Sequence, residues 1–229
     1  MEYKIEAIAH IRSAYKEKFG IPRQSNVVGH VRSRIVFEEA YRNADALRGL
    51  EGYDYAWLIW VFSENLRDGW APTVRPPRLG GNRRMGVFAT RSPFRPNGLG
   101  LSSVRIVAVE QSTAEGPVIT VEGADLMDGT PIVDIKPYLP YTDAHPEARS
   151  GFAGNDAGPL LEVVYAAEAL KDLNVDEREA LVEVLRHDPR PQYHHNPERV
   201  YGLRFMEFNV RFRVVDNGLV EILDARRES

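Results

Sequence analysis

The sequence predicts a mainly β protein, in which a barrel or sandwich is followed by a small α+β domain. Short runs rich in β-branched and aromatic residues recur as far as Leu139, and turn signals separate them. A stretch of small and turn-forming residues, Tyr141 to Pro159, then marks a boundary. One amphipathic helix and a pair of strands are predicted after this boundary in the sequence. We therefore expect a first domain over residues 1–145 and a second over residues 160–229.

Alternating or continuous apolar patterns predict about seven strands in the first domain. The run EEAYRNADALRGLEGY predicts a short helix, which Gly49 and Gly52 end. A sheet of this size with one helix is expected to close or curl, because closure removes exposed edges. The predicted strands cover Tyr3–Ser13, Ser33–Phe37, Tyr55–Phe62, Met85–Ala89, Leu101–Gln111, Pro117–Leu126 and Thr130–Leu139.

In the second domain the sequence predicts a strand, a helix and a hairpin. The strand covers Leu161–Ala166. Within Val175–Asp188, apolar residues recur at helical spacing, with acids before them and basic residues after them, as helix ends prefer. The tripeptide Asp216-Asn217-Gly218 is a hairpin signal between two strand-like runs.

The composition narrows the classes of function. The chain contains no cysteine, which excludes disulfides, thiolate nucleophiles and cysteine-ligated metal centres. No apolar run reaches membrane-spanning length, and the N-terminus lacks the basic and apolar parts of a signal peptide. We therefore expect a soluble cytoplasmic protein that enters no membrane.

Positive charge is concentrated in Ala71–Val109, hereafter the arginine segment. It contains seven arginines and no lysine, aspartate or glutamate, in a chain whose net charge is −4. Arginine binds carboxylates and phosphates through two parallel hydrogen bonds, whereas lysine is the usual choice for solubility. A solvated face is the alternative, but this composition favours an anion or nucleic-acid site. The arginines are Arg75, Arg78, Arg83, Arg84, Arg91, Arg95 and Arg105.

The loop FATRSPFRPNGLG (Phe88–Gly100) makes this segment rigid as well as positive. Pro93 and Pro96 restrict their neighbours to extended geometry, which lowers the entropy lost when a ligand is bound. The rings of Phe88 and Phe94 could stack on a base or belong to the core. The loop predicts a preorganised anion clamp beside an aromatic ring.

Two other motifs argue against common alternatives. The string GLGLSS (Gly98–Ser103) resembles a dinucleotide-binding loop, but it lacks the third glycine, and a strand follows where a helix should begin. The residues His187, His194 and His195 lack the spacing of metal ligands on a helix face, so we expect surface histidines and no metal.

Two polar motifs have the side chains that catalysis or binding needs. In DPRPQY, two prolines fix Arg190, and Tyr193 offers a stacking face. A tight Asp-Gly turn brings Asp128 near Asp134, beside Lys136. The alternative reading of this second motif is a hairpin with an ordinary charge pair.

Several strings occur in order along the chain: YKEKFGIPRQ, ADALRGLEGY, TVRPPRLGGNRRMGVFATRSPFRPN, DLMDGTPIVDIKPYLPY, DPRPQY and NVRFRV. Together they resemble the TsaA-like (YaeB, or TrmO) family of tRNA methyltransferases, from about Tyr3 to Val215. The resemblance implies a homodimeric β-barrel enzyme that uses S-adenosylmethionine without a Rossmann fold. It also implies that the substrate is N6-threonylcarbamoyladenosine next to the anticodon of threonine tRNA, methylated at N6.

The resemblance implies cofactor-binding positions as well. Where the family often has His-Gln after the apolar strand, this chain has Ser63-Glu64, and RPNGLG replaces the family's Arg-Pro-Asn-Pro-Ile-Gly. The positions that carry over are Pro22, Arg23, Gln24, Ser63, Glu64, Arg91, Leu101, Asp125, Leu126, Met127 and Asp128. Since all of them lie within residues 1–145, we expect the first domain alone to bind the cofactor.

Methyl transfer is expected to be direct, because no cysteine is available for a covalent adduct. The substituted N6 is a poor nucleophile until its proton leaves, so a general base would help. The candidates for this base are Asp128, Asp134 and Tyr138. The expected contacts with tRNA are Arg75, Arg78, Arg84, Phe94, Arg95, Asn97, Arg190, Tyr193, Arg211 and Arg213.

Two other classes of function stay open at this point. One is a methyltransferase for a small phenolic or amine acceptor, and the other is a non-catalytic RNA-binding module that senses S-adenosylmethionine. The late arginines Arg204, Arg211 and Arg213 favour RNA, because a small acceptor needs no second basic domain.

Overall fold

The computed structural model describes residues 2–65, 69–154, 158–190, 196–216 and 218–228. Its strands are β1 (Ala9–Arg12), β2 (Arg32–Phe37), β3 (Tyr55–Val61), β4 (Thr73–Val74), β5 (Met85–Gly86), β6 (Leu99–Thr113), β7 (Gly116–Glu122), β8 (Pro131–Pro137), β9 (Glu162–Tyr165), β10 (Val200–Phe205), β11 (Phe208–Asp216) and β12 (Leu219–Arg227). Its α-helices are α1 (Pro140–Asp143) and α2 (Val175–Arg186).

Six strands close into an antiparallel barrel in the order β1-β2-β7-β6-β3-β8, and β8 pairs again with β1. Alternate side chains of each strand point inward, so a small barrel is filled by its own residues. Its interior holds Ile11, Ile35, Leu58, Val104, Ile119 and Ile132, each at most 1% exposed. The predicted mainly β fold is confirmed. Because its sheet closes, the first domain is a barrel and not a sandwich.

A second, four-stranded sheet has the order β10-β11-β12-β9, with β9 parallel to β12. Helix α2 contacts β9 and contributes Leu181, Val184 and Leu185 to the buried cluster of this sheet. A capping box starts the helix: Asn174 accepts from the Glu177 amide, and Glu177 accepts from the Asn174 amide. The predicted hairpin joins β11 to β12, although Asn217 lies outside the described residues.

Local structure departs from the sequence prediction at three places in the first domain. The predicted strand Met85–Ala89 is limited to β5, and Val87–Ala89 forms a 3₁₀ turn. The predicted strand Tyr3–Ser13 is limited to β1. The predicted helix in EEAYRNADALRGLEGY is instead three 3₁₀ turns, at Glu39–Tyr41, Ala44–Leu47 and Leu50–Gly52. The Asn43 side chain caps the start of the second turn, and Gly49, at φ 88°, separates the second turn from the third. No continuous helix therefore forms.

Residues 13–31 connect β1 to β2 and leave the barrel to pack against the second sheet; we call them the crossing segment. Tyr15, Val28 and Val31 are buried in the same apolar cluster as the side chains of β10, β11 and α2. The ring of Phe19 lies 6.2 Å from those of Tyr201 and Phe212, stacked on both. The core of the second sheet is therefore completed by the first domain.

Hydrogen bonds fix the same junction. The carboxylate of Glu183 in α2 accepts from the backbone amides of Gly29 at 2.9 Å and His30 at 3.0 Å. The Met206 amide donates to the Ala14 carbonyl at 2.7 Å, at the turn between β10 and β11.

Within the described ranges, no helix is long and apolar enough to span a membrane.

Candidate active site

A pocket of about 520 Å³ opens where four parts of the first domain meet. They are the crossing segment, the end of β3 with the turn after it, the start of β6 with the loop before it, and the loop after β7. The lining residues are Lys18, Ile21, Pro22, Arg23, Gln24, Trp57, Trp60, Val61, Phe62, Ser63, Glu64, Asn65, Thr90, Arg91, Arg95, Leu99, Gly100, Leu101, Asp125, Met127 and Thr130.

One wall of the pocket is aromatic and apolar. The rings of Trp60 and Phe62 meet edge to face at 4.3 Å between centroids. Gly100 pairs with Trp60 across β3 and β6, and a Cβ atom there would come within 2.2 Å of the indole. Only glycine therefore lets β6 pass this ring, and Leu101 follows with its side chain 56% exposed.

Asp125 and Glu64 are two acidic residues in the pocket lining, and the carboxylate of Asp125 is half-buried. It accepts from the Ser102 hydroxyl at 2.6 Å, and that hydroxyl accepts from Trp60 Nε1 at 3.0 Å. Burial raises the pKa of Asp125 above its ordinary value, although the Ser102 hydrogen bond and the charge of Arg91 oppose this. Ser102 is 1% exposed and was not predicted; its sequence signal is a serine at an inward-facing position of β6, between Gly100 and Val104.

The arginine segment contributes two positively charged side chains to the pocket lining, Arg91 and Arg95. The Arg91 guanidinium donates to the Gln24 side chain, which ties this segment to the crossing segment. Lys18 Nζ donates to the Glu64 carbonyl at 2.7 Å, which ties the crossing segment to the turn after β3. The pocket lining thus combines three arginines, a lysine and two acidic residues with an aromatic wall.

The structure places most of the predicted cofactor positions together. Of the eleven, two are absent from the lining. Leu126 is 0% exposed within the barrel core. Asp128 accepts from the Ser13 amide at 2.9 Å and from Lys16 Nζ at 2.8 Å, so its carboxylate anchors the start of the crossing segment.

None of the three predicted general bases lines the pocket. Asp128 is held as just described. The carboxylate of Asp134 pairs with Lys136 Nζ at 2.8 Å, the charge pair that the sequence allowed as an alternative. The ring of Tyr138 packs against Trp57, a lining residue, at 5.5 Å between centroids.

The predicted tRNA contacts of the arginine segment lie around and outside the pocket. Arg95 lines it and donates to the carbonyl of Thr90 at 3.2 Å. Phe94 is half-buried and Asn97 is exposed. Arg75 and Arg84 are exposed, as is Arg83, and none of the three has a carboxylate partner among the described residues. The side chain of Arg78 lies outside what the structure describes.

The predicted arginines of the second domain are ion-paired. Arg211 binds Asp224, its partner in the β11–β12 register, through two nitrogen atoms. Arg213 Nε donates to Glu221 at 2.6 Å. Arg190 binds Asp188 through two hydrogen bonds of 2.8 and 2.9 Å. Tyr193 lies outside the described residues.

Among the residues that the structure describes, no group of three His, Asp or Glu side chains could hold a metal ion.

A closed antiparallel barrel with such a pocket at its rim has the form of a small-molecule-binding barrel, and the lining suits a ligand with both charges and an aromatic part. Residues 10–144 match the tRNA-methyltransferase O N-terminal domain, and residues 158–228 match the TrmO C-terminal domain. The chain belongs to the tRNA-methyltransferase O (TrmO) family, as its motifs predict.

Similar proteins cover the whole chain. The tRNA (adenine(37)-N6)-methyltransferase of Escherichia coli is 43% identical over 224 residues, which are 94% of this chain and 95% of that protein. A putative S-adenosylmethionine-dependent methyltransferase, RcsF of Pseudomonas aeruginosa, is 39% identical over 98% of both chains. The crystal structure of TrmO from P. aeruginosa has a TM-score of 0.80 at 32% identity, over 100% of this chain and 98% of that one.

Proposed function

We propose that this chain is an S-adenosylmethionine-dependent tRNA methyltransferase that acts on N6 of adenosine 37, next to the anticodon. The observation that carries this proposal is the family match over both domains, in a chain whose barrel holds a pocket at the matched positions. We further propose that the acceptor is N6-threonylcarbamoyladenosine in threonine tRNA, and that the enzyme works as a homodimer in the cytoplasm.

The residues of the pocket fit the cofactor. S-adenosylmethionine has a carboxylate, an ammonium group, a sulfonium and an adenine ring, and the pocket offers an arginine, a carboxylate and an aromatic wall. The volume of about 520 Å³ also falls in the range of small-molecule sites, about 300–1,000 Å³. When bound, the cofactor supplies a methyl group on a positively charged sulfur.

Each side chain then has a distinct task. Arg91 would bind the carboxylate of the cofactor, since a guanidinium matches a carboxylate with two hydrogen bonds. Asp125 would face a cationic group of the cofactor, and Ser102 fixes the direction of its carboxylate. The wall of Trp60, Phe62 and Leu101 would cover the adenine ring and exclude water.

The arginine segment suits the acceptor that we propose. The threonylcarbamoyl group adds a carboxylate, a hydroxyl and a carbonyl to adenine, and arginine is the side chain that reads a carboxylate. Arg95 lies in the pocket lining, where it could do so. The carbonyl also acidifies the N6 proton, which helps that proton to leave.

Proton removal needs an acceptor near N6. Asp128, Asp134 and Tyr138 remain the proposed candidates, and their contacts rank them. Tyr138 touches the pocket wall through Trp57, whereas Asp128 and Asp134 are each engaged with a lysine. We therefore place Tyr138 first among the three.

The experiment uses purified protein, labelled S-adenosylmethionine and threonine tRNA from cells with or without the threonylcarbamoyl pathway. A site built for a hydrogen-bonded group can reject the analogue that lacks it by 10⁴–10⁵-fold. We expect methyl incorporation only into the modified tRNA, with the methyl on N6 in a nucleoside digest. Equal incorporation into both tRNAs would contradict the threonylcarbamoyl requirement, and no incorporation into either would contradict the tRNA methyltransferase itself.

A further inference from the structure

Two aromatic rings of the first domain form an exposed pair. Trp70 is 48% exposed and Phe88 is 72% exposed, and their rings stack at 6.0 Å between centroids with 26° between planes. Single exposed apolar residues are ordinary, but contiguous exposed aromatic surface is the kind that marks a binding site. We call them the aromatic pair.

The β4–β5 hairpin, and not the contact between the rings, fixes the position of the pair. Trp70 lies just before β4, and Phe88 just after β5. Between them, the Val87 amide donates to the Pro72 carbonyl at 3.0 Å, and the Val87 side chain is 1% exposed. A buried residue therefore anchors the chain while the next residue, Phe88, points its ring into solvent.

The charge around the pair indicates which ligand it suits. Arg75, Arg83 and Arg84 lie in the same hairpin and its loop, and no acidic residue occurs in the arginine segment. Aromatic rings and arginine are also enriched at protein–protein interfaces, so composition alone does not choose the ligand. The family match to tRNA methyltransferases favours RNA, and exposed aromatic rings beside unpaired cations are a combination that binds an unstacked base together with its phosphates.

The pair is also next to the pocket along the chain. Phe88 is in the 3₁₀ turn Val87–Ala89, which the Thr90 amide closes on the Val87 carbonyl at 3.1 Å. Thr90 lines the pocket. Two residues of chain span at most about 7 Å, so a nucleotide on the pair would neighbour one presented to the pocket.

We propose that the aromatic pair stacks an unpaired base of the anticodon loop, next to the target adenosine, while Arg75, Arg83 and Arg84 bind the adjoining phosphates. This proposal rests on the proposed function, because it takes tRNA as the substrate. A target base must leave its stack to be methylated, and a neighbouring base held on aromatic rings keeps the loop splayed. The pair is a positioning element and takes no part in the chemistry.

The test uses full-length Phe88→Ala, Phe88→Leu and Phe88→Tyr, with Tyr165→Ala as a control at a 39% exposed aromatic residue of β9. Affinity for threonine tRNA, KM and kcat for methylation, and cofactor affinity are measured at one salt concentration. We expect Phe88→Ala to weaken tRNA binding about 5- to 150-fold, the effect of losing one stacked base. Phe88→Tyr should bind normally, Phe88→Leu should remain weak, and Tyr165→Ala should behave as wild type. Cofactor affinity should stay unchanged in all four.

Wild-type tRNA affinity in Phe88→Ala would overturn the proposal and leave the proposed function intact. Equal rescue by leucine and tyrosine would also overturn it, because stacking requires a ring. A fall in the native mass of Phe88→Ala would assign the pair to contacts between two copies of the chain, and so overturn it too. If the wild type bound tRNA through Phe88 but failed to methylate it, the pair would stand and the proposed function would fall.

Discussion

Arginine is abundant in two regions of the molecule, but it serves them differently. On the second sheet, Arg211, Arg213 and Arg204 face Asp224, Glu221 and Glu228 within hydrogen-bonding distance. In the arginine segment, Arg75, Arg83 and Arg84 have no such partner among the described residues. On the second sheet, a phosphate would have to displace a carboxylate from the arginine that binds it. In the arginine segment, it would displace only water. The number of arginines alone therefore does not locate an RNA surface.

The comparison also changes the role that we expect of the second sheet. Its arginines contribute cross-strand ion pairs, which are worth little when they are exposed. Its apolar face holds the crossing segment, which carries Pro22, Arg23 and Gln24 to the pocket. The sheet therefore supports the segment that lines one side of the pocket, and we propose that the arginine segment provides most of the tRNA contacts.

The largest effect should follow removal of residues 160–229. The sequence led us to expect that residues 1–145 bind S-adenosylmethionine alone, because every implied contact lies there. The structure leads to the opposite expectation, since Tyr15, Phe19 and Val28 would lose the core that buries them. We expect the truncated protein to aggregate or to show no heat of cofactor binding in calorimetry.

A point variant makes the same test in the full chain. Phe19→Ala removes two stacking contacts of a half-buried ring, so we expect a loss of about 2 kcal/mol in the free energy of unfolding. Cofactor affinity should fall with it if the crossing segment loosens. Full affinity in the truncated protein would show that the two domains are independent.

Arg91 lines the pocket and is the arginine that we propose for the cofactor carboxylate, so Arg91→Ala should weaken cofactor binding by about 1.5–3 kcal/mol, or about 10- to 150-fold. Arg91→Lys should restore little, because an ammonium group cannot form the paired hydrogen bonds of a guanidinium. The measurement is calorimetry, with Arg211→Ala as the matched control. An alanine variant that binds the cofactor normally would remove Arg91 from the site.

The two arginine regions can be compared directly by the salt dependence of tRNA binding. Each lost phosphate contact lowers the slope of log K against log salt by about 0.7 to 0.9. The triple variant Arg75→Gln, Arg83→Gln and Arg84→Gln should therefore lose about 2 units of slope. The double variant Arg211→Gln and Arg213→Gln should change it little. The reverse result would assign tRNA binding to the second sheet and contradict the comparison.

The smallest effect concerns pH. Asp125 attracts a cation only when it is ionised, and burial raises its pKa above the ordinary 3.8. Acidification therefore protonates it earlier than an exposed aspartate, and cofactor affinity should decline severalfold as the pH falls through that raised pKa. In Asp125→Asn, affinity should be lower at neutral pH and nearly independent of pH in this range. A wild-type profile in the asparagine variant would exclude this role.

The sequence predicted the fold class because alternating apolar patterns determine strands locally, and the arginine segment was evident from composition alone. Other features depend on contacts between distant parts of the chain. Ser102 became part of the site only when β6 paired with β3 and brought its hydroxyl between Trp60 and Asp125. The ion pairs of Arg211 and Arg213 follow from the register of β11 on β12, which hydrophobic pattern alone does not give.

Nine of the eleven predicted cofactor positions line one pocket, and several of them lie in short motifs with rigid backbones, as in FGIPRQ and ATRSPFRPN. Their contacts with the cofactor stay a prediction. The general base stays a prediction, because Asp128, Asp134 and Tyr138 were chosen for residue type within one motif. The sequence did not show that Asp128 holds the crossing segment, through the Ser13 amide and Lys16. The packing of Phe19 between two rings of the second sheet had no local signal.

The chain has three tryptophans, and their positions make the site observable by its own fluorescence. Trp60 is hydrogen-bonded to the Ser102 hydroxyl that holds Asp125, Trp57 lines the pocket and packs against Tyr138, and Trp70 belongs to the aromatic pair. The second sheet has none, so it contributes no indole emission. Replacing two tryptophans at a time with phenylalanine would leave a single emitter, at Trp60, at Trp57 or at the aromatic pair, so that the order in which the two substrates arrive could be read from stopped-flow traces.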